Sequence, residues 1–237
     1  MRERLVLFDI DGTLIDTAGA GRRAVERAFF DVFAVDAATR PNGIRYAGMT
    51  DPAIFLGLAR VFAIDSATYH ERRPRLDAAY LTHLAAEMER SDPRRRVLPG
   101  VIDLLERLSR RRDTHLGLLT GNLERGARIK LGPFQLNRFF PGGGFGSDDA
   151  DRAVIARVAA EKFARRTGIE LESSQVVVVG DTEHDVACAK ANGFRAVAVA
   201  SGFVSREVLE QAAPDALLDD LADGPATLRA LGFEELS

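Results

Sequence analysis

Four short apolar runs, at residues 5–8 (LVLF), 116–119 (LGLL), 176–179 (VVVV) and 196–200 (AVAVA), recur along the chain. Each is followed at once by Asp, Thr, Gly or Ser. Runs of this length without polar alternation suit strands buried on both faces. Between them the apolar positions change to helical spacing: Val101, Leu104, Leu105 and Leu108, then Val154, Ile155, Val158 and Ala159, then Val186, Ala189 and Ala191. Alternating strands and helices predict a parallel α/β sheet with helices on both faces, whose ligands bind beyond the carboxyl ends of the strands. From about residue 18 to 96 the rhythm changes. Val25, Phe29, Val32 and Phe33, then Ile54, Leu58, Val61 and Phe62, then Leu76, Tyr80 and Leu84 keep helical spacing with no convincing strand. The expected organisation is therefore an α/β core made of residues 1–17 and 97–237, with an all-helical unit, 18–96, inserted after the first strand. Its exit runs through SDPRRRVLPG, whose prolines and arginines mark a connection. The stretch 141–147 (PGGGFGS) is expected to be a glycine-rich loop, and the final sixteen or so residues a terminal helix.

Charge narrows the partners. Thirty-two basic against thirty-five acidic side chains leave a net charge of −3, which provides no field to draw the molecule onto nucleic acid or an anionic membrane. Every apolar run is interrupted well short of the ~18 residues of a membrane span. A single Cys188 excludes a disulfide framework within one chain, and the opening MRERLVLFDIDGT lacks the apolar stretch of a secretion signal. A cytoplasmic monomer or homodimer acting on a small molecule is expected.

Three strand ends carry chemistry. The first run leads into Asp9-Ile10-Asp11-Gly12-Thr13, and carboxylates at the end of a buried strand are expensive unless paired or metal-bound. Asp9 can serve there as an oxygen ligand and nucleophile, with Asp11 turned back by Gly12 as acid and base; an Asx-type turn is the plainer alternative. The third run ends in Gly180-Asp181-Thr182-Glu183-His184-Asp185, two acids one helical turn apart. Asp9, the Asp11 backbone and Asp181 would make an incomplete oxygen cage of the kind Mg²⁺ prefers. The second run ends in Thr120-Gly121-Asn122, a hydroxyl and backbone N–H groups able to cradle a phosphoryl group.

In order and approximate spacing, DxDGT, a strand-final Thr and GDxxxD resemble the haloacid dehalogenase superfamily of aspartyl-phosphate hydrolases, and more narrowly its phosphoglycolate phosphatase branch. The resemblance spans nearly the whole chain and implies a Rossmann-like parallel sheet with a helical cap inserted after the first motif. It further implies a Mg²⁺-dependent phosphatase for a small phosphorylated metabolite. In this likeness Asp9 is the nucleophile and a metal ligand, Asp11 the general acid and base, and Thr120 and Asn122 phosphate ligands. Asp181 is a metal ligand, and Asp185 a ligand or outer carboxylate. The lysine the family usually places at the start of the helix before GDxxxD is missing. Of the three lysines, Lys162 lies well inside that helix and Lys190 beyond the metal motif, whereas Arg152 stands at the helix start. A guanidinium offers a permanent charge and bidentate phosphate contacts, so Arg152 is the expected catalytic cation, with Lys130 as the fallback. Solvation of Arg152 beside Asp148 or Asp151 is the alternative.

Gly48-Met49-Thr50-Asp51 resembles the substrate-facing loop of capped relatives, and Thr50 or Asp51 before Pro52 is equally a good helix start. Arg45 just upstream can meet a substrate carboxylate. His184 reads as a rim residue, since Mg²⁺ prefers oxygen, and Cys188 as a buried small residue. The chain has neither a P-loop nor a G-x-S-x-G elbow. The rivals are a phosphomutase of the same superfamily, similar to β-phosphoglucomutase, and a non-catalytic phosphometabolite-binding protein.

Overall fold

In order along the chain, the elements are β1 (Arg4–Phe8), β2 (Ile15–Asp16), α1 (Ala20–Phe33), α2 (Asp51–Val61), α3 (Ser66–Glu89), β3 (Arg96–Val97) and α4 (Val101–Ser109). There follow β4 (Thr114–Thr120), α5 (Glu124–Leu131), β5 (Gly143–Phe145), α6 (Arg152–Thr167), β6 (Val176–Gly180), α7 (Glu183–Ala191), β7 (Arg195–Val199), α8 (Arg206–Gln211), β8 (Ala216–Leu218) and α9 (Gly224–Ala230). The computed structural model describes residues 3–40 and 42–233. Among them six strands form one parallel sheet in the order β5-β4-β1-β6-β7-β8. Relabelled by sequence within this sheet, that order is 3-2-1-4-5-6, the doubly wound arrangement of Rossmann folds, in which the chain reverses direction beside the first strand.

Period-two alternation divides the central strands between two cores. Val6 and Phe8 of β1, with Val177 and Val179 of β6, join α4, α5 and α9 on one face. Leu5, Leu7, Val176 and Val178 join α6 and α7 on the other. Both faces are apolar because both are covered. Phe8 lies opposite Leu118 on one side and Val179 on the other, so the three strands that carry Asp9, Thr120 and Asp181 end along one edge.

Four strands were not legible as such. The glycine-rich stretch expected to be a loop contributes β5, paired with β4 from Leu118↔Gly143 to Thr120↔Phe145. Its glycines are required by close packing, since a Cβ on Gly143 would overlap the Leu118 backbone. Arg96–Val97, at the end of the segment read as strandless, pairs antiparallel with Ile15–Asp16 to make a two-stranded ribbon where the chain enters and leaves the helical segment. The short edge strand β8 follows β7. At the carboxyl end the expected helix is the seven-residue α9, and residues 234–237 lie outside the described part of the chain.

Helices α1, α2 and α3 share a separate core that includes Val25, Phe29, Ile54, Leu58, Leu76 and Leu84. The Phe55 ring stands 6.3 Å from that of Phe29 and 5.3 Å from that of Tyr80, both edge to face. Buried Glu87 ties α3 to α1 through Arg23 and Arg27, at 2.7 and 3.0 Å.

The helical segment reaches the sheet edge through the start of α2. Thr50 caps that helix, accepting from the Ala53 N–H at 3.2 Å, and its hydroxyl donates to the Ala150 carbonyl at 3.2 Å. The Asp51 N–H donates to the Gly121 carbonyl at 2.7 Å, and the Asp51 carboxylate accepts from the Leu123 N–H at 2.8 Å. Such closeness is possible because residue 121 has no side chain: a Cβ there would overlap the Met49 carbonyl oxygen and come within 2.8 Å of the Thr50 Cα.

Both obstacles are backbone and cannot rotate away. Gly121→Ala should therefore push residues 49–51 off the sheet edge, lowering stability by about 1–3 kcal/mol in urea denaturation. An alanine variant as stable as the parent would show that the loop yields freely.

Candidate active site

Every carboxylate named from the motifs, except one at the edge, is buried. Asp9 follows β1 directly and donates its N–H to the Val179 carbonyl at 2.9 Å, which fixes it against the neighbouring strand. Asp181 follows β6 and lies so close to the first motif that a Cβ on Gly12 would overlap its carboxylate; Gly12 has φ +84°, a conformation that favours glycine on its own account. The Thr13 hydroxyl donates to Asp181 Oδ1 at 3.2 Å. Asp185 occupies the third position of α7, where it forms a reciprocal cap with Thr182. Asp185 Oδ2 accepts from the Thr182 N–H at 3.1 Å and from its hydroxyl at 2.6 Å.

Asp9, Asp181 and Asp185 each offer an oxygen to a group spanning no more than 4.8 Å. Burial and like charge disfavour ionisation of Asp9 and Asp181. Burial pushes Asp9 up to about 7, with Asp185 and Asp11 adding to the shift and Arg152 opposing it. Burial, then Asp9 and Asp185, raises Asp181 well above the usual carboxylate range. Unmet negative charge on hard oxygen donors suits a divalent cation such as Mg²⁺. The residues therefore fit a metal, with one distinction: Asp185 is bonded through both oxygens to protein side chains, Oδ1 to Arg152 and Oδ2 to Thr182.

Arg152 is the first residue of α6, which Asp151 caps by accepting from the Ala153 N–H at 2.8 Å. Its guanidinium is buried, bonds to Asp185 Oδ1 and lies 3.7 Å from Asp9 Oδ1. Those two carboxylates hold it charged against the cost of burial. The solvated pairing with Asp148 or Asp151 does not occur: Asp148 binds Lys162 at 2.6 Å.

On the other side of the first motif, Thr120 is buried at the end of β4, and its Oγ1 accepts from the Asn122 side-chain amide at 2.7 Å. The same amide donates to Asp11 Oδ2 at 3.0 Å. Lys130 reaches this point from the last turn of α5, and Asp11 Oδ2 accepts from its Nζ at 2.6 Å. The sequence put Arg152 and Lys130 forward as alternatives; the structure brings both into the site, one beside Asp9 and the other beside Asp11. A lysine eight residues beyond Asn122 gives no sign in the sequence that its helix runs back beneath the motif.

These groups open onto a cavity of about 770 Å³. Its outer wall includes Val25, Ile44, Tyr46 and Met49 from the helical segment, with Phe203 from the loop after β7. Arg45 is on this wall but mostly exposed, 3.5 Å from Glu183. Thr50 is buried and committed to capping α2. His184 is exposed at the rim and Cys188 is buried. Asp51, read with the substrate-facing loop, lines the cavity, and so do Tyr80 and Phe203, which were not singled out because only the packing of α3 and the course of the loop after β7 bring them there. No helix among the described residues is long and apolar enough to cross a membrane.

Known proteins share this chain's sequence and fold. The phosphoglycolate phosphatase 1 of Pseudomonas aeruginosa is 29% identical over 226 residues, covering 93% of this chain and 78% of that protein. The phosphoglycolate phosphatase of Synechococcus elongatus is 29% identical over 222 residues, covering 92% and 93%. Among solved structures, a mutant of CbbY from Rhodobacter sphaeroides in complex with xylulose-(1,5)-bisphosphate superposes with a TM-score of 0.72 at 21% identity, over 97% of this chain and 99% of that one. A predicted phosphoglycolate phosphatase from Haemophilus somnus gives 0.70 at 18% identity, over 94% and 96%. The model of the haloacid dehalogenase-like hydrolases matches residues 6–190, a span that holds every carboxylate and both cations of the site, and the chain belongs to that family.

Proposed function

We propose that this protein is a Mg²⁺-dependent phosphatase that hydrolyses a small phosphomonoester through a phosphorylated Asp9. The observation that carries this reading is the placement of two differently surrounded carboxylates, Asp9 and Asp11, at one cavity. Asp9 stands among other acids and a guanidinium. Asp11 stands among neutral donors and an ammonium.

In this reading an Asp9 oxygen attacks phosphorus in line and the ester P–O bond breaks as the Asp9 O–P bond forms. The leaving alkoxide takes its proton from Asp11. Asp11, now a carboxylate, accepts a proton from water as that water attacks the same phosphorus, releasing inorganic phosphate and restoring Asp9. Thr120, the Gly121 backbone and Asn122 bind the phosphoryl oxygens on one side, and Arg152 balances charge beside Asp9. Asp9, Asp181 and the Asp11 carbonyl would hold Mg²⁺, with Asp185 behind them, and the ion supplies positive charge to the transferring group.

Residues 18–96 act as the cap, excluding bulk water and selecting the leaving group through the wall formed by Val25, Ile44, Tyr46, Met49 and Arg45. A cavity of about 770 Å³ admits leaving groups from the size of glycolate to that of a sugar. The relatives named phosphoglycolate phosphatase and the structural neighbour bound to a bisphosphate fall within that range.

A panel of phosphorylated metabolites containing phosphoglycolate and sugar phosphates, with p-nitrophenyl phosphate as a general probe, tests the reading. Turnover should require Mg²⁺, stop on chelation with EDTA and return when Mg²⁺ is added. Asp9→Asn should lower kcat by roughly 10⁴-fold. A protein inert toward every ester, or an Asp9→Asn variant of near-normal turnover, would contradict it.

A further inference from the structure

The buried ammonium of Lys130 has no part in the mechanism above, yet it is among the most constrained charges in the molecule. Only 5% of Lys130 is exposed. Its Nζ donates to Asp11 Oδ2 at 2.6 Å and to Asn122 Oδ1 at 2.6 Å. From the helical segment, Gly21 of α1 closes over it: a Cβ there would come within 3.2 Å of Nζ. Beyond Asp11, the buried carboxylate of Asp51 is the second acid beside this ammonium. Asp51 is in turn fixed by the Leu123 N–H and by the Tyr80 hydroxyl.

The two oxygens of Asp11 are thereby made different. Oδ2 accepts from Lys130 at 2.6 Å and from the Asn122 amide at 3.0 Å, both on buried side chains. Oδ1 accepts a single long bond, 3.4 Å from the Thr17 hydroxyl. One oxygen is clamped and the other is available for proton exchange. We propose that Lys130 is a positioning residue, which grips Oδ2 of Asp11 so that Oδ1 is presented to the leaving-group oxygen, and which makes no contact with the phosphoryl group. This inference rests on the phosphatase reading and assigns Lys130 a place within it. Arg152 and Lys130 then serve different carboxylates, and neither substitutes for the other.

The test separates formation of the phosphorylated protein by its need for a proton. In single-turnover experiments with Mg²⁺, release of the phenol is followed from 2,4-dinitrophenyl phosphate, whose leaving group needs no protonation, and from phenyl phosphate, whose leaving group does. Lys130→Met should slow the phenyl phosphate step by about 10- to 100-fold, the cost of a misplaced acid. The dinitrophenyl phosphate step should stay within about threefold of the parent. Lys130→Gln, which keeps an N–H donor for Asp11, should recover part of the phenyl phosphate rate. If Lys130→Met does not fold by circular dichroism, Lys130→Gln carries the same comparison. Equal losses on both esters would overturn the proposal, placing Lys130 on the phosphoryl group or in the fold alone. No loss on either would overturn it too, reducing the contact to a structural ion pair. A parent protein inert toward both esters would instead remove the phosphatase reading itself.

Discussion

Negative charge concentrated where water cannot screen it is the constraint around which this molecule is arranged. Asp9, Asp181 and Asp185 present oxygens within 4.8 Å of one another, all buried. No isolated domain gains stability from such a cluster, since each carboxylate is expensive to desolvate and each raises the cost of ionising the next. The parallel sheet enforces the arrangement. Register between β1 and β6 sets the end of one strand beside the end of the other, and the reciprocal cap of α7 brings Asp185 back toward them. Within the chain, Arg152 is the counterion that reaches both Asp9 and Asp185. Among the described residues Asp181 accepts from neutral donors, the Thr13 hydroxyl and the Phe203 backbone, and forms no ion pair, a charge that a divalent cation would balance.

The helical segment is attached at the same place. Its contact with the sheet edge is made of backbone: the Asp51 N–H on the Gly121 carbonyl, and the residue 49–50 backbone against a position where a side chain cannot fit. Asp51 then carries a second buried charge, raised to about 6 by burial, against Leu123, Tyr80 and the charge of Lys130. Packing of the helices and the charge balance of the sheet edge are therefore one problem. A shift of α2 moves the groups that surround Asp11.

Much of this was legible in the sequence, for physical reasons. Buried parallel strands must be continuously apolar, so the four runs announced β1, β4, β6 and β7, and acids at their ends were conspicuous because they are costly there. The structure gathers Asp9, Asp11, Thr120, Asn122, Arg152 and Asp181 at one cavity. What escaped was decided by neighbours. β5 reads as a glycine loop because its glycines answer to the Leu118 backbone and to α6, which no local pattern records. β8 is only three residues long and half-buried. Lys130 was named as the fallback cation, but its place beside Asp11 was not, because it lies in the last turn of an ordinary helix and only the path of α5 beneath the first motif brings its ammonium there. Arg45, read as a substrate contact, lines the cavity with its side chain mostly exposed and 3.5 Å from Glu183.

Whether the carboxylate cluster is a cation site is measured directly by thermal unfolding followed by circular dichroism in the absence of any substrate. A cation bound only by the folded chain stabilises it by about 2.7 kcal/mol when present at 100 times its dissociation constant, and so raises the midpoint with its concentration. Mg²⁺ should raise the Tm of the parent progressively and leave that of Asp181→Asn almost unmoved. A parent whose Tm ignores Mg²⁺, or an Asp181→Asn variant that responds to the same extent, would contradict a cation site there.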